Sequence, residues 1–174
     1  MKQLPNLLTA ARLIAAPYIL YLLWAGQYRT AIVWFSIASA TDVLDGFIAR
    51  RFHAGSRLGA LLDPIADKVL LSGSFLILGL RGVVPMWLMA LVLGRDFLIL
   101  GFAIVALTRK LRRDFPPSVW GKASTAAQIA CVLFAVGHAA SITPLIVATI
   151  LSWIAAALTL WSGIGYVIKM SRRV

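Results

Sequence analysis

Four aspartates, Asp42, Asp45, Asp63 and Asp67, stand close together in apolar sequence, in a chain that has only six acidic residues. A carboxylate kept from water without a partner costs several kcal/mol, so a cluster of four calls for a strong positive charge nearby. A bound divalent cation supplies it. Asp42 and Asp45 are three residues apart and Asp63 and Asp67 four apart, spacings that put each pair on one face of a helix. Hard carboxylate oxygens favour Mg2+, Mn2+ or Ca2+ over zinc, magnesium in particular being held by carboxylates plus substrate phosphates, and two such ions roughly 3.5 to 4 Å apart suit phosphoryl chemistry. Gly46, Ala49 and Gly59 leave room beside the carboxylates for a bulky group, and Arg50 adds a planar cationic fork suited to a diphosphate.

These residues need rigid elements to hold them. The chain has 174 residues, is 61% hydrophobic and only 13% charged, against roughly 25% charged in an average soluble domain. This is the composition of an integral membrane protein. Six apolar stretches are long enough to cross a bilayer as helices: Leu7 to Ala25, Ala31 to Ile48, Leu58 to Leu80, Val84 to Leu107, Ser124 to Ala140 and Pro144 to Ile168. One domain, residues 1–174, accounts for all of them. Arg51 to Leu58, with Gly55 and Ser56, reads as a short polar turn that makes the second and third helices antiparallel neighbours. With the turn centred near Ala54, Asp45 and Asp63 are equidistant from it, and Asp42 and Asp67 lie about one helical turn deeper. Pro64 is expected near the start of the third helix, where a proline is tolerated.

The formal net charge of +11 is unevenly spread. Arg50, Arg51 and Arg57, then Arg109, Lys110, Arg112 and Arg113, then Lys169, Arg172 and Arg173 form clusters, whereas the alternate loops carry only Arg29 and Arg81. By the positive-inside rule both termini and the acidic hairpin face the cytoplasm, in a bacterial-type cytoplasmic membrane. The basic excess is therefore a matter of topology and anionic lipid, with no nucleic-acid partner implied. Tyr28 and Trp87 fall near the outer interface and Trp120 and Tyr166 near the inner one. The first span begins with Arg12 and shows no cleavage pattern, so it is expected to remain as a helix, and Cys131, the one cysteine, reads as core packing.

Taken together the acidic segment reads Asp-x2-Asp-Gly-x2-Ala-Arg-x8-Gly-x3-Asp-x3-Asp. This resembles the signature of the CDP-alcohol phosphotransferase family at each defining position. Pro5-Asn6-Leu7-Leu8-Thr9-Ala10-Ala11-Arg12 is similar to the start of bacterial phosphatidylglycerophosphate synthases, as is Gly121 to Gln128 to a later segment of them. The resemblance implies a six-transmembrane-helix bundle, a homodimer, with its site open to the cytoplasmic leaflet. It also implies transfer of a phosphatidyl group from CDP-diacylglycerol to a phosphate-bearing alcohol with release of CMP, assisted by Mg2+ or Mn2+. Carried over, Asp42, Asp45, Asp63 and Asp67 hold metal and Asp67 is also the general base. Asn6, Thr9, Arg12, Gly46, Ala49, Arg50, Ser56 and Gly59 would serve the CDP donor.

The acceptor reads as glycerol 3-phosphate, whose phosphate asks for cations, and Arg95, Arg112, Arg113 and Lys122 are the candidates. Arg95-Asp96 stands where phosphatidylglycerophosphate synthases commonly have Arg-Glu, and cardiolipin synthases of the CDP-alcohol type resemble the chain there, so phosphatidylglycerol is the alternative acceptor. Outside this class stand an ion or proton transporter using aspartate relays and a prenyl transferase, whose motifs lack the Asp-Gly-x2-Ala-Arg continuation. A purely structural reading would have Arg50, Lys68 and Arg95 neutralise the four aspartates in an ion-pair network.

Overall fold

A computed structural model describes the backbone of residues 4–52, 59–108 and 119–171 and the side chains of residues 14–41, 68–102 and 119–168. The described residues form six helices and no strand: α1 Leu4–Trp24, α2 Tyr28–Phe52, α3 Gly59–Leu80, α4 Met86–Thr108, α5 Val119–Ala139 and α6 Leu145–Ser171. Each contains most of one apolar stretch expected from the sequence. Among the described residues, Val119–Ala139 and Leu145–Ile168 are each long and apolar enough to cross a membrane. Because α3 begins at Gly59, Pro64 falls in its second turn, near the start of the helix as its span predicts.

Three of the connections are tight and use one device. After α1, Gly26 adopts φ 74°, its N–H donates to the Leu23 carbonyl at 3.2 Å and the Gln27 N–H donates to the Leu22 carbonyl at 2.9 Å. This paired closure satisfies carbonyls that the helix end leaves open. Gly82 (φ 70°) repeats it after α3 with Val83 donating to Leu78 at 2.9 Å, and Ser141 (φ 61°) repeats it after α5 with Ile142 donating to Gly137 at 2.8 Å. Because helices alternate in direction, all three turns lie at one end of the bundle. The two basic side chains there tie turns together: Arg81 donates to the Trp24 carbonyl and stacks on its ring 5.7 Å from the centroid, and Arg29 donates to the Ala140 carbonyl at 3.5 Å.

Packing arranges the six helices as two rows of three, α2, α5, α6 beside α1, α3, α4, with α1 against α2, α3 against α5 and α4 against α6. Among the described residues α2 and α3 do not pack directly on each other; α1 packs on both, and α5 does so from the other side. Over the described residues α1 and α5 thus lie between α2 and α3, while the expected neighbouring of the two acidic helices about Arg51 to Leu58 falls outside the described residues. The interior holds Ile19, Leu22, Leu23, Phe75, Leu78 and Leu88 together with Ala16, Ala31, Ala135, Ala155 and Ala156, small residues that let helix backbones approach.

The outside is as apolar as the inside. Ile14, Phe97, Val119, Trp153 and Trp161 are each more than half exposed, which water would penalise and lipid tails would not. Trp87 pairs with Trp153 near the turn end (ring centroids 5.0 Å) and Trp120 with Trp161 near the opposite end (5.9 Å). Two levels of aromatic rings match the two interfaces of a bilayer.

Candidate functional site

The acidic positions all fall on continuous helix. Asp42, Asp45, Gly46, Ala49 and Arg50 lie on α2, and Gly59, Asp63 and Asp67 on α3, each toward the end opposite the three tight turns. At about 1.5 Å of rise per residue, Asp67 is about 12 Å along α3 from Gly59 and Asp42 about 15 Å along α2 from Phe52. The helical backbone keeps each pair on one helix face, as the spacing requires. The side chains of these residues, and those of Asn6, Thr9 and Arg12 on α1, lie outside the described residues, as do Ser56, Arg112 and Arg113 altogether.

A polar layer that the sequence did not announce starts one residue beyond Asp67. Lys68 on α3 donates to Asp96 Oδ1 on α4 at 2.8 Å, Ser72 on α3 donates to Asp96 Oδ2 at 2.7 Å, and Arg95 Nη1 donates to Asp96 Oδ1 at 2.9 Å. Arg95 Nη2 then reaches across to Ser162 Oγ on α6 at 3.0 Å. Asp96 therefore accepts from two cations and a hydroxyl while its side chain is only 12% exposed. Buried charge survives only when compensated in this way.

The layer continues between α5 and α6. Gln128 Nε2 donates to Thr159 Oγ1 at 2.9 Å, and Ser124 and Thr159 share a hydrogen bond at 3.2 Å, all three side chains being buried. Gln128 closes the segment that begins at Gly121, and of its polar residues Ser124 and Gln128 face the bundle interior while Lys122 and Thr125 are exposed. Periodicity could have found this seam, since Ser124 and Gln128, like Lys68 and Ser72, are four residues apart on apolar helices.

Of the four cations expected at the acceptor, two have described side chains. Lys122 is exposed near the start of α5. Arg95 is 10% exposed and held by Asp96 and Ser162, and its buried Nε has no hydrogen-bond partner among the described residues. Gly163 lies beside it: a Cβ there would come within 3.7 Å of Arg95 Cγ.

The sequence profile described as CDP-alcohol phosphatidyltransferase matches residues 2–161. The chain belongs to that family. A Rickettsia typhi protein named CDP-diacylglycerol–glycerol-3-phosphate 3-phosphatidyltransferase is 34% identical over 95% of this chain and 96% of its own length. A Streptomyces coelicolor protein named cardiolipin synthase (CMP-forming) is 30% identical over 98% of this chain and 84% of its own. A Schizosaccharomyces pombe fusion of cardiolipin synthase (CMP-forming) with a mitochondrial hydrolase is 45% identical over 55% of this chain, and the match spans 16% of that longer protein. Family membership thus covers nearly the whole chain, whereas the relatives' names divide between glycerol-3-phosphate 3-phosphatidyltransferase and cardiolipin synthase.

The donor set of the family motif fits a divalent cation of the magnesium type. Asp42, Asp45, Asp63 and Asp67 offer only hard oxygens, from two helices whose backbones run unbroken through all four positions. The described side chains contain no alternative cluster of three His, Cys, Asp or Glu residues.

Proposed function

We propose that this protein transfers a phosphatidyl group from CDP-diacylglycerol to glycerol 3-phosphate, giving phosphatidylglycerophosphate and CMP. The observation that carries this reading is the eight-residue acidic signature borne on two continuous helices. The Rickettsia relative, matched end to end, supports the acceptor. In this reading all six helices span a bacterial-type cytoplasmic membrane with both termini and the site on the cytoplasmic side, and the protein is a homodimer. The polar layer and the acidic positions then lie in the cytoplasmic half of the bundle, where the donor's diphosphate enters while its acyl chains stay in lipid.

Asp42, Asp45, Asp63 and Asp67 would hold Mg2+ or Mn2+, two ions in this reading, and the bound cation would supply charge neutralisation of the diphosphate and a better CMP leaving group. Asn6, Thr9, Arg12, Gly46, Ala49, Arg50, Ser56 and Gly59 seat the CDP moiety, the small residues by leaving space and Arg50 by its fork. Asp67 accepts the proton of the acceptor hydroxyl as that oxygen attacks the diacylglycerol-linked phosphorus. The P–O bond to CMP breaks as the new P–O bond forms, in line and with no covalent enzyme intermediate. Arg95, Arg112, Arg113 and Lys122 supply the cationic side that recognises the acceptor phosphate, and holding the alcohol in place favours transfer over hydrolysis.

A second reading has phosphatidylglycerol as acceptor and cardiolipin as product. It is favoured by the Arg95-Asp96 pair and by the two cardiolipin synthase relatives. Purified enzyme given CDP-diacylglycerol with either glycerol 3-phosphate or phosphatidylglycerol, followed by identification of the lipid product, decides between them. Phosphatidylglycerophosphate is the expected product, and lipid formed only from phosphatidylglycerol would reject the first reading. Ion uptake into liposomes without CDP-lipid and without CMP release would instead favour a transporter.

A further inference from the structure

Lys68 and Ser72 form one ridge of α3, four residues apart, and Asp96 of α4 grips both, one with each carboxylate oxygen. The Asp63 and Asp67 positions form a second ridge of the same helix, about 100° around from the first. A helix turns as a rigid body over so short a stretch, so fixing one ridge fixes the bearing of the other. The same carboxylate holds Arg95, whose other arm is anchored on α6 by Ser162. One side chain thus connects the helix that carries Asp67 to the most buried cation of the described set.

We propose that Asp96 is a positioning residue: it sets the rotation of α3 at Asp67 and the orientation of the Arg95 guanidinium together, so that base and acceptor cation keep a fixed mutual geometry. The proposal deepens the transferase reading and rests on it for the roles of Asp67 and Arg95. The clamp itself stands on contacts that exist whatever the activity. Lys68 is 44% exposed and Asp96 12% exposed, so the grip runs from an accessible cation inward to a shielded carboxylate. A mere ion-pair staple would need one cation; here two cations and a hydroxyl converge from two helices, with a third helix attached through Ser162. Aspartate also matters by its length, since its carboxylate meets Lys68, Ser72 and Arg95 at 2.7 to 2.9 Å without an added methylene.

The test compares wild type with Asp96→Asn and Asp96→Glu in detergent, with full-length protein. Hydrogen–deuterium exchange of the α3 amides from Ile65 to Leu71 should speed up by roughly tenfold in Asp96→Asn, while the turn around Gly26 keeps its wild-type rate. Per folded molecule, kcat should fall roughly 10- to 100-fold and the KM for acceptor rise, with the KM for CDP-diacylglycerol nearly unchanged. Asp96→Glu should recover part of the loss. Unchanged α3 exchange, or an Asp96→Asn enzyme that is less heat-stable yet kinetically normal per folded molecule, would overturn the proposal. Should Asp96→Asn fail to fold, Ser72→Ala leaves both cation contacts in place. It should show the same pattern at smaller amplitude, and no change in either measurement would overturn the proposal equally. A wild-type enzyme without phosphatidyl transfer would sink the functional reading while the exchange comparison still judged the clamp.

Discussion

Two regions of this bundle are built on opposite rules. At the turn end, three closures of one type, apolar packing and two arginines bound to backbone carbonyls leave no room to spare: a Cβ on Gly79 would meet Met89 Sδ at 2.5 Å and Met89 Cβ at 2.8 Å. Away from it, midway along the helices and next to the positions of four further aspartates, Asp96, Arg95, Lys68, Ser72 and Ser162 join three helices by polar contacts. Apolar contact is cheap and cooperative, whereas a polar network in low dielectric must be satisfied group by group. The difference teaches that one region supplies stability and the other spends it to hold charge where chemistry needs it.

Substitutions that separate the two regions should therefore behave differently. The largest effect is expected for Asp67→Asn, which should lower CMP release by roughly 10²- to 10⁴-fold while CDP-diacylglycerol still binds, because it removes the base and little of the diphosphate grip. Direct binding measured beside turnover checks this, and wild-type turnover would dismiss Asp67 as base. Asp42→Asn or Asp45→Asn should move the Mg2+ titration of activity to concentrations roughly tenfold or more higher, and an unmoved titration would dismiss the ligand assignment.

At the turn end the expectation reverses. Gly79→Val forces a β-branched side chain against Met89 and should destabilise the fold by about 1 to 3 kcal/mol. Thermal unfolding in detergent should fall while the Mg2+ titration stays put; a shifted titration would erase the contrast between the two regions. The smallest effect is a gain. Ser141 takes the left-handed backbone (φ 61°) that Gly26 and Gly82 occupy at the matching turns, so Ser141→Gly should stabilise by about 0.5 to 1 kcal/mol. A lowered unfolding temperature would show that the serine side chain matters more than the backbone strain.

Much of this was legible in the sequence. Apolar stretches marked all six helices to within a few residues, since length and hydropathy are local properties. The Arg29 and Arg81 loops were read as topology signals; each arginine proved to secure a helix end as well, a role that depends on which carbonyl lies within reach. The shared connection predicts packing of α2 on α3 about Arg51 to Leu58, which lies outside the described residues; over the described ones α1 and α5 lie between the two helices. Chain adjacency limits where helices can go without choosing among neighbours of similar apolarity. The sequence offers Arg95 as a candidate acceptor contact and Lys68 and Arg95 as counter-charges to the four aspartates; the structure brings both cations to Asp96 instead, with Ser72 beside them and Ser162 on Arg95.

By itself the sequence determined the helices, the family, and the face on which each aspartate pair sits, because the spacing of residues three and four apart acts within one helix. Tertiary structure alone decided that α1 and α5 lie between the described parts of α2 and α3 and that Lys68, Asp96 and Ser162, far apart in the chain, meet in one layer. Those contacts depend on which helix faces pack together, and on an apolar helix in lipid a few polar side chains, each needing a partner, settle that choice.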